Sequence, residues 1–85
     1  MGAYAPLHAW LVGQPANVNH ILTTFEQIEG ILGFPLPPTA RRRPQWWENN
    51  PNQHSHARAW LDAGFLTEQV NVPNESLTFR RVNSN

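Results

Sequence analysis

The chain has 85 residues and no cysteine, and its six arginines face six acidic residues for a formal net charge of zero. That length leaves room for one domain spanning 1–85 and no separate catalytic lobe, and the balanced charge excludes the broad attraction with which strongly basic proteins coat nucleic acid. A chain of this size buries only roughly 60–65 per cent of its unfolded surface, so aromatic packing or a partner copy must supply stability that disulfides do not.

Tyr4, Leu7, Trp10 and Leu11 recur at helical spacing, with Pro6 acceptable in a first turn and Gly13 placed to end the run, which predicts an N-terminal helix over 4–12. Gln14 to Asn19 is polar and reads as a connection. Ile21 to Phe25 is short, branched and apolar, and reads as a small strand. Thr24 with Gln27 three residues on fits a capping box, and Phe25, Ile28, Ile31 and Leu32 form one stripe closed by Gly33, so a second helix is expected over Phe25–Leu32.

Prolines 35, 37, 38 and 44 push the next segment toward extended geometry, with room for one helical turn from Pro38 to Arg43. Glu48 to Gln53 reads as a loop. Ser55 is placed to cap a third helix with Ala57, Trp60 and Leu61 inward and Gly64 just past its end. Leu66, Val70 and Val72 then fall on one side of an extended segment, a turn is expected at Pro73–Ser76, and Leu77 and Phe79 alternate with Thr78 and Arg80. The fold class expected is α+β: a small three-helix domain with a short strand and a C-terminal β-hairpin. The element order is that of a winged helix-turn-helix, in which the first strand pairs with the hairpin, although about twenty residues separate helices two and three where that motif has a tight turn.

Phe25, Ile28, Glu29, Leu32 and Gly33, then Leu36, Pro37 and Ala40, then Trp46, Trp47 and Asn49, then Ala59, Trp60, Ala63 and Gly64, and last Phe79 and Arg80 make the pattern F-x-x-I-E-x-x-L-G, L-P-x-x-A, W-W-x-N, A-W-x-x-A-G, F-x-R. In that pattern the chain resembles a family of uncharacterised short bacterial and phage domains, over a core from about 23 to 82. The resemblance implies domain boundaries and carries no activity. The run of three arginines is denser than the pattern requires.

Arg41, Arg42 and Arg43 precede Trp46 and Trp47 closely, joining guanidinium forks that pair with phosphate to rings on which a base stacks. The competing reading puts the two Trp in the core and leaves the arginines as a solvated rim. Asn49, Asn50, Asn52 and Gln53 with His54, His56 and Arg58 would reach base edges if the third helix entered a groove, or would be turn residues otherwise. Arg80 and Arg81 point to opposite sides of the last strand, so one of them, Arg80 being the candidate, can join a phosphate-contacting surface; charge that protects an edge strand is the alternative.

His54 and His56 lie two apart and lack the ligand spacing of a zinc site, so no metal and no cofactor is expected. With no cysteine nucleophile, no G-x-S-x-G elbow and no phosphate-cradling glycine loop, the expected protein is not an enzyme. Glu29 on the second helix is better placed to anchor arginines or helix starts nearby than to move protons. No apolar run approaches the roughly 18 residues of a membrane span, and the first eleven residues lack a signal peptide's basic start, so a cytoplasmic protein without membrane contact is expected.

Three functions fit these residues. The leading one is a non-catalytic nucleic-acid-binding module using Arg41, Arg42, Arg43, Trp46, Trp47, Asn49, His54, His56, Arg58 and Arg80. The alternative is a small phage-type interaction or sequestering protein that binds a host protein or a signalling nucleotide, with a homodimer possible. The third is a scaffold domain fused to a larger enzyme.

Overall fold

The computed structural model describes residues 2–82. A 3-10 turn, Gly2–Tyr4, leads into α1 (Ala5–Val12), where Pro6 sits in the first turn and Leu7 and Leu11 are buried. Tyr4, expected inside the helix, belongs to the turn before it. β1 (His20–Thr24) ends one residue earlier than expected, because Thr24 holds extended geometry as the N-cap of α2 (Phe25–Leu32). The Thr24 hydroxyl accepts from the Gln27 N–H, and the Gln27 side chain accepts from the Thr24 N–H. Gly33 closes α2 at φ 84°, in the left-handed region that glycine enters without a Cβ clash.

α3 (Pro38–Arg42) completes the helical turn allowed by the sequence, which makes four α-helices among the described residues where three were expected. A 3-10 turn at Pro44–Trp47 follows and carries both Trp rings inward. Ser55 does not cap the last helix. It opens a 3-10 turn, Ser55–Ala57, that runs into α4 (Arg58–Leu61), and His54 holds the preceding position without a side-chain cap. Gly64 then turns the chain at φ 87°.

β2 (Phe65–Asn71) and β3 (Ser76–Arg81) form the expected hairpin, and the antiparallel sheet has the order β1-β3-β2. The face of β2 differs from expectation. Phe65 and Thr67 are buried, while Leu66 and Glu68 lie on the other side, across from Arg80 and Thr78. An irregularity between Glu68 and Asn71, with Gln69 at φ 54°, inserts one extra residue and moves Val70 back against the core. Alternation counted through a bulge selects the wrong face.

The helices and turns cover the sheet face that carries Leu77 and Phe79, both fully buried. At the centre the Trp47 ring stacks on Phe25 at 5.3 Å and on Trp60 at 5.8 Å, and its Nε1–H donates to the Ala40 carbonyl at 2.9 Å. The indole thus meets α2, α4 and the end of α3 at once. Trp47→Ala should cost about 3–5 kcal/mol, a large part of the about 4–13 kcal/mol expected for a domain of this length. Urea denaturation followed by circular dichroism should show the midpoint fall by at least about 1 M; a shift of a few tenths molar would show that the ring is not the centre of the core.

Candidate functional site

Arginine pairs well with anions, but here acidic residues claim two of the six, Arg41 and Arg80. Arg41 donates from Nη2 to Glu29 Oε1 at 2.8 Å and from Nη1 to Glu75 Oε2 at 2.6 Å. Glu29 Oε2 also accepts from the Leu36 N–H at 2.7 Å. Hydrogen bonds from Arg41 and then from Leu36 hold the Glu29 carboxyl below the usual carboxylate range. Glu29 therefore has the anchoring role expected of it, and Arg41 is a tie between α2, α3 and the β2–β3 turn.

Arg80 lies on the outer face of the sheet and donates from Nε to Glu68 at 2.7 Å. Arg81 donates to the carbonyls of Val18 and Pro15, both at 3.0 Å, and covers the Phe65 ring at 4.6 Å. Arg42, Arg43 and Arg58 are exposed, and among the described residues none has a carboxylate within ion-pair distance. Of the candidate arginines, Arg41 and Arg80 are thus held by carboxylates.

Trp46 and Trp47 belong to the core, at 8 and 1 per cent exposure, so neither offers an open face to a base. Asn49 is also committed. Its Oδ1 accepts from Trp60 Nε1–H at 2.9 Å and from the Thr67 N–H at 3.0 Å, and its Nδ2 donates to the Thr67 carbonyl at 3.0 Å. Both lone pairs of the amide oxygen and one of its two N–H donors are used.

The His pair sits beside this core. His56 stacks on Trp46 at 3.7 Å and 12°, with Nε2 2.6 Å from the Trp46 carbonyl oxygen. A carbonyl only accepts, so Nε2 carries the hydrogen and Nδ1 keeps the lone pair of the neutral ring. Burial holds the His56 pKa below its ordinary value, with His54 adding to the effect. The His54 ring lies 5.3 Å from that of His56, and its Nε2 is 3.4 Å from Glu48 Oε1. Among the described residues no group of three or more His, Cys, Asp or Glu could hold a metal ion.

What the fold does assemble is a cleft of about 390 Å³ between the N-terminal turn and α4, lined by Tyr4, Ser55, His56, Arg58 and Asp62. The Tyr4 ring lies 5.8 Å from Phe34, 5.9 Å from Trp46 and 5.8 Å from His56, so one wall is aromatic. Arg58 and Asp62, one turn apart, make no ion pair with each other, which leaves the guanidinium open to a bound anion. His56 and Arg58 were candidates from the sequence. Tyr4 was missed as a site residue because its spacing with Leu7 and Leu11 reads as core.

A family model described as a domain of unknown function (DUF7662) matches residues 4–82. No curated protein and no solved structure matches the chain.

Two outcomes follow from the buried contacts. Asn49→Ala leaves the fully buried Trp60 indole N–H without an acceptor, at about 1–3 kcal/mol, and should lower the melting temperature by about 4–8 °C per kcal/mol; an unchanged melt would mean that water replaces the amide. For His56 the unfolded ring takes up a proton at higher pH than the folded one, so stability is level above the ordinary His range and falls as pH drops through it toward the lower folded pKa. His56→Phe should flatten the melting temperature between pH 7.5 and pH 5.5, whereas an equal slope in both proteins would place the titration on another histidine.

Proposed function

The chain belongs to that family of domains of unknown function, and from the geometry of its cleft we propose that it is a non-catalytic module that binds a phosphate-bearing nucleotide. The observation that carries this reading is Arg58: an exposed guanidinium without a carboxylate partner among the described residues, in the same cleft as an aromatic wall and the Ser55 hydroxyl. Guanidinium takes phosphate oxygens through paired N–H groups, Ser55 adds a donor, and the Tyr4 and His56 rings offer planar surface to a base. Asp62 on the opposite side of the charge balance favours a ligand that also brings hydrogen-bond donors, as a base does.

A second reading is duplex nucleic-acid binding by a winged-helix-like domain. The sheet order β1-β3-β2 after a helix, strand, helix and helix favours it. Against it stands α4, which even with the 3-10 turn that leads into it covers only Ser55–Leu61, about two turns, a short segment for presenting a row of side chains along a groove. Arg42 and Arg43 would then be the backbone contacts, since Arg41 and Arg80 are already neutralised.

Calorimetric titration with inorganic phosphate, a mononucleotide and a short duplex separates the readings. The nucleotide reading expects saturable mononucleotide binding that exceeds phosphate. Arg58→Gln should weaken it by about 10- to 150-fold, corresponding to the loss of one charged hydrogen bond, with melting temperature unchanged because Arg58 is exposed. Binding that appears only with duplex and falls steeply with salt would transfer the function to the second reading, and no binding of any of the three would remove both.

A further inference from the structure

The two edges of the sheet are treated differently. In the β2–β3 ladder Val82 N–H donates to the Gly64 carbonyl, and pairing continues as Leu66 with Arg80, so Gly64, Leu66 and Glu68 turn their backbone groups toward β3 and Thr67 turns its own outward. Asn49 takes both of those outward groups with its amide. Past Thr67 the bulge at Gln69 breaks the line of the strand. Phe65 faces outward by the same alternation, but with Thr67 taken and the bulge beyond it no run of free groups is left for a further strand.

On β1 the bonds Arg81 N–H to the Asn19 carbonyl and Phe25 N–H to the Glu75 carbonyl share the register of His20 with Arg80. Alternation then directs Asn19, Ile21, Thr23 and Phe25 to β3, and His20, Leu22 and Thr24 outward. Thr24 is satisfied, its N–H by Gln27 and its carbonyl by α2. The N–H and C=O groups of His20 and Leu22 have no partner among the described residues. No Lys, Arg, Pro or bulge guards them, and the Leu22 side chain beside them is 74 per cent exposed.

We propose that this edge is the self-association surface of the protein, taken by β1 of a second copy in antiparallel fashion about a two-fold axis through Ile21. His20 then faces Leu22 of the second copy, and Leu22 faces its His20. The four outward groups of one strand meet the four of the other, and none is left over. A two-fold centred on Leu22 satisfies fewer, since it opposes His20 to Thr24, whose groups are already used. Ile21, half-buried at the end of the inner face, meets its own symmetry mate at the close non-hydrogen-bonded pair, which extends the apolar layer across the seam. The result is a six-stranded sheet in the order β2-β3-β1-β1-β3-β2, with both remaining edges closed by Asn49. An unrelated extended peptide could add to the same edge, but the match of register, the absence of like charges and the apolar Ile21 contact all arise when the strand pairs with itself.

The interface is short, so association is expected at high micromolar concentration. Sedimentation velocity from micromolar to about 1 mM, with hydrogen exchange by NMR at both ends of the range, is the test. A dimer is expected, with the amides of His20 and Leu22 gaining protection as concentration rises while those of Ile21 and Thr23, bonded to β3, stay protected throughout. Leu22→Pro removes an outward N–H, which an edge strand tolerates, and should weaken association at least about tenfold through the donors lost; Leu22→Lys, at an exposed position, should do the same if the proline variant does not fold. A monomer at about 1 mM, or a dimer whose His20 and Leu22 amides exchange as fast as in dilute solution, overturns the proposal.

Discussion

The amide of Asn49 joins the aromatic core to the sheet. One oxygen accepts from the buried Trp60 indole and from the Thr67 N–H, and the nitrogen of the same group donates to the Thr67 carbonyl. Thr67 in turn donates its hydroxyl to the Trp47 carbonyl. Without this exchange, two indole rings and a strand edge would be held together by apolar contact alone, and the buried Trp60 N–H would lack an acceptor. The loop after the Trp pair therefore has a defined path, and that path positions His54 and His56 above Trp46.

A neutral chain with six cations and six acids has little charge to spare for a ligand. Glu29, Glu75 and Glu68 consume Arg41 and Arg80, and backbone carbonyls consume Arg81. The arginines that remain open, Arg42, Arg43 and Arg58, are the groups from which an anion site can be made. Of these, Arg58 shares a cleft with the Tyr4 and His56 rings, and the proposal of a small phosphate-bearing ligand rests on that neighbourhood.

The legible part of the fold is the part written over three or four residues. The Thr24 to Gln27 box and Gly33 located α2 to the residue, because capping and the left-handed turn depend only on neighbours along the chain. Ser55 looked like a cap by the same rule, yet the chain there closes into a 3-10 turn that includes it, so the extended cap position falls to His54, whose side chain makes no cap bond. The face of β2 was misread for a related reason: a bulge is set by what the partner strand requires, and Leu66, Val70 and Val72 carry no mark of the extra residue between them.

The candidate site was less legible than the fold. The residue types alone determined that guanidinium and aromatic groups were present, that Glu29 was suited to anchor a neighbour, and where α2 would start and stop. Only the tertiary structure decided which way each large ring faced and which acid each arginine met. Arg41 finds Glu29 across twelve positions and Glu75 across thirty-four, and Tyr4 reaches the cleft from the far end of the sequence. Such pairings follow from how the layers pack, since an ion pair needs proximity in space and leaves no trace in the local pattern that a helix cap or a strand alternation does.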